Sequence, residues 1–486
     1  MTHQNESLRA KAANGGRWTA TSAIASVTLQ IVQLAVLGRL LGPSEFGLMA
    51  MMMVVIGLTN SIADFGLGNY LVQKETLSRR ALLQLLMIVM VMATLLAALI
   101  ALTADLVADY YKQPLLAHLL PWLSISVFIF AISQMLMSVL QRFLDFKNIA
   151  IGEITSVGLA LASTALLALF GYGLWSLVVG QIIAGSGRAL IYAFPLPGLI
   201  RQLPKDDQTE IFKAKGFAFY QTGERLLNYF GWNLDKVFIG RMIGDVGLGL
   251  YSVSYQLMMR PFSVLNPVFT RVTLPLFVNI RDNDARLAAS YLQTIRIIAL
   301  LSFPIYMTMA LAAPAIIQIL MGEKWMEAYL ILYILSLLGI FFSIGNPLGT
   351  LILSKGKPKW AFYFNLISLI IYALAFWIGS QYSALGVAIA FLVAGVIVMF
   401  PMEFYLRKRL VGMTLLQYFM AMRHLFAAVI VPLLTHAIVY YPFMKTSSML
   451  GQMTIVIFAV AFFLGYLYFN DRKLIISTKN IIFKGV

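Results

Sequence analysis

Long apolar runs alternate along the chain with short segments rich in charged and turn-forming residues. A membrane-spanning helix needs about twenty mostly apolar residues, and each run is long enough to supply one. The pattern predicts fourteen helices, at 17–41, 46–71, 81–104, 115–140, 149–170, 173–195, 214–241, 247–275, 290–313, 327–353, 359–379, 384–406, 417–441 and 449–469. The longest connection runs from Leu196 to Lys213 and carries the polar stretch Arg201-Gln202-Leu203-Pro204-Lys205-Asp206-Asp207. A transmembrane barrel would show short alternating segments instead. The expected fold is an all-α polytopic membrane protein.

Polar positions inside the runs are ordered. Helix one places Thr19, Ser22, Ser26, Gln30 and Gln33 at steps of three and four, which is one helical face. Helix seven does the same with Gln221, Arg225, Asn228, Trp232 and Asp235, and Glu224 lies alongside. Helix eight adds Gln256, Arg260 and Ser263 before an expected break at Asn266-Pro267, and helix two adds Asn60 and Asp64. Ordinary interhelical hydrogen bonding accounts for the Ser and Thr positions taken alone. A hydrated cavity accounts better for two such stripes, because a charge at a span centre costs about 2.5–3.5 kcal/mol unless it faces water or a partner.

The chain also repeats itself. Leu37-Gly38-Arg39-Leu40-Leu41-Gly42 followed by Gly47-Leu48 recurs as Ile239-Gly240-Arg241-Met242-Ile243-Gly244 followed by Gly249-Leu250, at an offset of 202. Asp64 and Asn266 match at the same offset. Gly-x-x-x-Gly alone is a common helix-packing pattern, but two copies with a matching Arg at corresponding topological places point to duplication. Two parallel six-helix halves followed by two more helices is a transporter architecture. The expected domains are a first lobe at 1–200, a cytoplasmic linker at 201–213, a second lobe at 214–410, and helices thirteen and fourteen with a tail at 411–486. The paired glycines 38, 42, 240 and 244 are expected to let helices approach closely.

Composition then sharpens the class. The chain is 60% hydrophobic and 12% charged, about half the charge of a soluble domain, so a soluble enzyme is excluded. Of the 36 Lys and Arg residues, 27 fall on one side of the predicted topology and 5 on the other, with Arg188, Arg225, Lys236 and Arg260 inside helices. By the positive-inside rule both termini are cytoplasmic. The net charge of +16 is thus a topology signal and a contact for anionic lipid, not a nucleic-acid site. The first apolar run, Trp18 to Leu41, is too long for a cleavable leader. There is no cysteine, the four histidines lack metal spacing, and no Gly-x-x-x-x-Gly-Lys loop offers direct use of ATP. Tyr110-Tyr111 and Tyr440-Tyr441 read as interfacial anchors. Asp145, Glu153 and Glu403 are expected to pair with nearby Arg or Lys, and Arg188 either reaches the interface or has a partner.

The stretches Arg17-Trp18-Thr19, Leu40-Leu41-Gly42-Pro43-Ser44-Glu45-Phe46-Gly47 and Asp64-Phe65-Gly66-Leu67-Gly68 resemble the polysaccharide-translocase family. These are the Wzx-type flippases of the drug, oligosaccharidyl-lipid and polysaccharide exporter superfamily, and the chain looks most like the colanic-acid branch. The helix count and the two-lobed repeat match over the whole length. The resemblance implies a transporter of the bacterial inner membrane, not an enzyme, that moves an undecaprenyl-diphosphate-linked sugar repeat unit by alternating access. Lipid-linked oligosaccharide, membrane lipids and the polysaccharide polymerase machinery are the implied partners of an expected monomer.

On this reading Arg225 and Arg260 hold the diphosphate, because guanidinium forks match phosphate oxygens. Gln30, Gln33, Asn228, Trp232 and Gln256 complete the substrate set, and Trp18, Tyr220 and Trp232 are candidates for stacking on sugar. Structural pairing of Arg225 with Asp235 or Asp64 is the competing reading. No catalytic residue, metal or cofactor is expected. Asp64, Glu224 and Asp235 are the candidates for a coupling proton or sodium ion. A cation-coupled multidrug exporter of the same superfamily is the alternative function. A membrane polymerase or ligase would need a large catalytic loop outside the membrane, and the sequence leaves no room for one.

Overall fold

A computed structural model of the chain describes residues 2–63, 67–73, 77–204, 214–440, 449–476 and 478. Every regular element among them is helical. The chain forms two compact units, Met1–Gly249 and Leu250–Val486. The first holds α1 (Thr2–Leu40), α2 (Pro43–Ala63), α3 (Leu67–Gln73), α4 (Arg79–Leu102), α5 (Ala104–Tyr111), α6 (Leu115–Arg142), α7 (Phe146–Leu169), α8 (Leu174–Ala193), α9 (Leu196–Arg201) and α10 (Ala214–Met242). It ends within the first turns of α11 (Asp245–Asn279). The second holds the rest of α11, then α12 (Asp284–Leu311), α13 (Ala313–Leu320), α14 (Ala328–Gly345) and α15 (Pro347–Ser354). After these come α16 (Pro358–Ser380), α17 (Ala384–Val393), α18 (Phe400–Val411), α19 (Leu415–Thr435) and α20 (Met449–Asn470).

Among the described residues, thirteen helices are long and apolar enough to cross a membrane. They correspond to the predicted spans, with one difference. The predicted seventh span is α10, which has 29 residues but stands outside the thirteen. The stripe of Gln, Glu, Arg, Asn, Asp and Lys that marks it as a candidate site also lowers its apolarity. Short helices α5 and α13 follow the third and ninth spans, at corresponding places in the two halves. The expected break at Asn266-Pro267 is absent: α11 runs unbroken through Pro261, Pro267 and Pro275. Proline removes one backbone hydrogen bond, and spans tolerate it when neighbouring groups satisfy the freed carbonyl.

In the first unit α6 is the central helix and packs on α2, α4 and α8. Its residues Leu116, Leu120, Leu123, Val127, Ala131, Met135 and Val139, at steps of three and four, have no exposed surface. The polar helix α10, assigned to the second lobe by sequence, packs on α2 within this unit. Arg188 on α8 donates to Ser156 of α7 (3.1 Å) and stands 3.7 Å from Glu153, so it binds two helices together. Asp145, expected to meet a basic residue, instead caps α7 by accepting from the Asn148 backbone and side-chain amides at 3.2 and 2.7 Å. An acid before a helix N-terminus finds its donors there.

In the second unit α12 packs on α14, α19 and α20. Arg407 of α18 is fully buried there. It donates to Glu403 (2.7 Å) and to the Tyr291 hydroxyl (2.9 Å), with the rings of Phe400, Phe404 and Tyr418 at 5.3–5.9 Å from its guanidinium carbon. Arg296 of α12 pairs with Asp471 just beyond α20. Lys355 pairs with Asp284.

Candidate functional site

The repeat signature becomes a pair of matching contacts. α2 and α11 begin at Pro43 and Asp245, which are 202 residues apart. A β-carbon on Gly47 would stand 1.8 Å from the Asp245 carbonyl oxygen, and one on Gly249 would stand 1.9 Å from that of Pro43. The contacts exchange under the repeat, and only glycine permits either. The closest approach therefore falls to Gly47 and Gly249, and of the four glycines expected from sequence Gly240 is also tight, since a β-carbon there would stand 2.8 Å from the Tyr111 ring. Of those four, Gly240 faces Tyr111, Gly42 faces the Glu45 carboxylate, Gly244 adopts a φ of +103° with open space around it, and Gly38 is buried. Gly244 occupies the left-handed region that lets α10 turn into α11.

Hydrogen bonds complete this clasp on one side. The Ser44 hydroxyl donates to the Asp245 carboxylate, whose other oxygen accepts from the Gln113 amide at 3.2 Å. Glu45 accepts from the Gly42 amide at 2.9 Å and so caps the turn into α2. Helix α5 covers the end of α10. Tyr111 is buried against Gly240, and the Arg241 guanidinium lies 5.4 Å from the Tyr110 ring centre. Tyr111 is therefore a packing residue, not the interfacial anchor expected of it. Burial, with the phenols of Tyr110 and then Tyr229 nearby, pushes its own phenol up. Of the other expected anchor pair, the Tyr440 side chain and Tyr441 lie outside what is described.

Sequence reasoning missed Tyr229. Its hydroxyl donates to the Val54 carbonyl at 2.7 Å, and its ring fills the space beside Gly57. This pins the polar helix α10 to the middle of α2. The only sequence signal was a small residue and an aromatic in facing runs, too common to read.

The predicted site residues divide between the units. In the first, Gln30 and Gln33 are half-buried on α1. Thr19 and Ser22 on the same face donate to carbonyls of their own helix, Gly15 and Thr19, at 2.9 and 3.0 Å, not across to a neighbouring helix as the interhelical reading expects. On α10, Arg225 is half-buried and Trp232 is 42% exposed. Asp235 is buried, and its carboxylate accepts from the Lys236 amide at 2.8 Å, while the Lys236 ammonium donates to Asn233 at 2.7 Å. Asp64 and the side chains of Glu224 and Asn228 lie outside what is described. In the second unit, Gln256 is exposed and Arg260 half-buried, four residues apart on α11.

The family model described as polysaccharide biosynthesis protein matches residues 36–330. The chain is 26% identical over 417 residues to the lipopolysaccharide biosynthesis protein WzxC of Escherichia coli (strain K12), covering 86% of this chain and 85% of that one. Its fold is similar to that of the lipid II flippase MurJ in an inward closed conformation. The TM-score is 0.71 at 13% identity, covering 94% of this chain and 99% of that one. An inward-facing multidrug resistance MATE transporter of the MOP superfamily is also similar. There the TM-score is 0.57 at 14% identity, covering 80% and 95%.

Proposed function

The chain belongs to the polysaccharide biosynthesis protein family, and on that premise we propose that it flips an undecaprenyl-diphosphate-linked oligosaccharide repeat unit from the cytoplasmic to the periplasmic leaflet. It is a multi-pass membrane protein of a transporter family of Wzx type, not an enzyme. The observation that carries the proposal is the likeness to a lipopolysaccharide biosynthesis protein across most of both chains. The fold alone does not choose the cargo, since flippase and drug exporter share it.

In the proposed cycle both termini are cytoplasmic in a bacterial inner membrane, and the lobes 1–200 and 214–410 move as bodies. Arg225 and Arg260 hold the diphosphate, whose charge the guanidinium forks meet without losing their own. Gln30, Gln33, Asn228, Trp232 and Gln256 offer donors, acceptors and one ring to the sugars, and the prenyl tail stays in lipid. Asp64, Glu224 and Asp235 are the coupling acids for a proton or sodium ion. The clasp at Gly47 and Gly249 closes the periplasmic end and parts when that end opens. The product feeds a polysaccharide polymerase.

Deletion of the encoding gene tests the reading. Mass spectrometry of the lipid fraction is expected to find a saccharide-diphosphate lipid accumulated on the cytoplasmic leaflet. An unchanged lipid fraction with raised sensitivity to cationic drugs would favour the exporter instead.

A further inference from the structure

Two Asn-Pro steps face each other in the second unit. Asn266-Pro267 lies within α11, and Asn346-Pro347 forms the step from α14 to α15. The Asn346 amide donates to the Asn266 carbonyl oxygen, which also accepts from the Thr270 hydroxyl at 3.1 Å. Each proline lacks an amide hydrogen, so the carbonyls of Ser263 and Ser343, four residues earlier, lose their helical donors. A narrow crevice opens beside the two steps, lined among others by Asn266, Thr270, Ser302, Tyr306, Ser343 and Asn346. Its interior is about 20 Å³, where one water requires roughly 10–15 Å³ of the same measure and two to four polar partners.

The crevice is uncharged and mixed, with Phe262, Leu265, Phe269 and Ile298 beside its polar groups. Ser302 donates to Ser343 at 2.9 Å. Tyr306 has no exposed surface, and among the described residues its hydroxyl has only the Phe262 backbone nearby, outside full hydrogen-bond geometry. Among the described residues no carboxylate lines the space, so a bare cation would be buried without a countercharge, which is costly. A neutral donor and acceptor of one-water size fits both the volume and the lining.

We propose that the facing Asn-Pro steps form a hydrated joint. One bound water links the Tyr306 hydroxyl to the Asn266–Asn346 pair, stands in for the hydrogen bond that Pro347 removes from the Ser343 carbonyl, and makes this the point at which α11 bends. Helix bends arise where proline or an inserted water interrupts the ladder, and both occur at this step. The joint does not depend on which cargo the protein carries.

The test uses the full-length protein in lipid nanodiscs. X-ray radiolytic hydroxyl-radical labelling, read by mass spectrometry, is expected to modify Tyr306 in spite of its burial, because radicals form from the adjacent water. Asn266→Leu fills the crevice and is expected to lower that labelling several-fold; Asn346→Leu gives the same reading should the first variant not accumulate. Equal labelling in the wild type and in either variant overturns the water site. Labelling that changes when sodium is replaced by choline overturns it too, in favour of a cation. The chain has no native cysteine, so spin labels at Val246→Cys and Val278→Cys report the length of α11 cleanly. Pro267→Ala is expected to narrow their distance distribution, and an unchanged distribution overturns the bend.

Discussion

Gly47 and Asp245 meet backbone to backbone. A single methyl group on Gly47 would lie 1.8 Å from the Asp245 carbonyl oxygen. Gly249 meets Pro43 in the same way, so the start of each repeat-related helix is the surface on which the other rests. Neither contact can yield by rotating a side chain, because the opposing atom is main chain.

Gly47→Ala and Gly249→Ala are therefore each expected to abolish the closed clasp and to reduce transport at least tenfold while the protein still inserts. Complementation of a deletion strain, with membrane levels measured in parallel, reads this. Gly16→Ala, where nothing stands within 4 Å, is the control and is expected to be neutral.

Locking the clasp is the converse experiment. Ser44 reaches the Asp245 carboxylate, so a Ser44→Cys, Asp245→Cys pair is well placed to crosslink under mild oxidation in a protein with no other cysteine. Transport is expected to stop on oxidation and return on reduction. Full activity with the crosslink formed would contradict opening at this end.

Arg260 separates a phosphate ligand from a structural cation. Arg260→Ala is expected to weaken headgroup binding by about 1.5–3 kcal/mol, the range for hydrogen bonds to charged groups, or roughly ten- to hundredfold. Arg260→Lys keeps the charge and loses the fork, so partial recovery is expected. Uptake of lipid-linked saccharide in proteoliposomes, with thermal stability as the control, measures both.

Coupling by an acid predicts a changed ion dependence. Asp64→Asn, Glu224→Gln and Asp235→Asn are compared in vesicles under imposed proton and sodium gradients. At least one is expected to uncouple transport from its gradient. Three variants with unaltered ion response would leave the membrane potential, worth about 2.3 kcal/mol per charge per 100 mV, as the source.

Arg407 is fully buried and pairs with the half-buried Glu403, and removing one partner leaves the other charge stranded. Arg407→Ala is expected to destabilise the protein by about 3–5 kcal/mol. Adding Glu403→Gln is expected to cost little more, because the two sites share one interaction. Thermal unfolding in detergent, read as a double-mutant cycle, checks the coupling.

The sequence by itself determined the class and the plan of this protein. Span length and apolarity follow from the thickness of the bilayer, which acts on each run separately, so the helices were legible one by one. The repeat was legible for a similar reason: Gly47 and Gly249 stand at equal offsets whatever they touch. Stripes on α1 and α10 needed only the helical period. What each polar group meets was decided by tertiary structure, because a partner lies at no fixed distance along the chain. Asp145 turned to its own helix, Arg188 to Glu153 on the neighbouring one, and Tyr229 to a carbonyl of α2 some 175 positions away. Asn266-Pro267 reads as a break in any local rule, yet α11 continues through it. Asn346 and Thr270 supply the hydrogen bonds that brace the Asn266 side chain there, and only the packing of α11 against α14 and α15 brings Asn346 to that place.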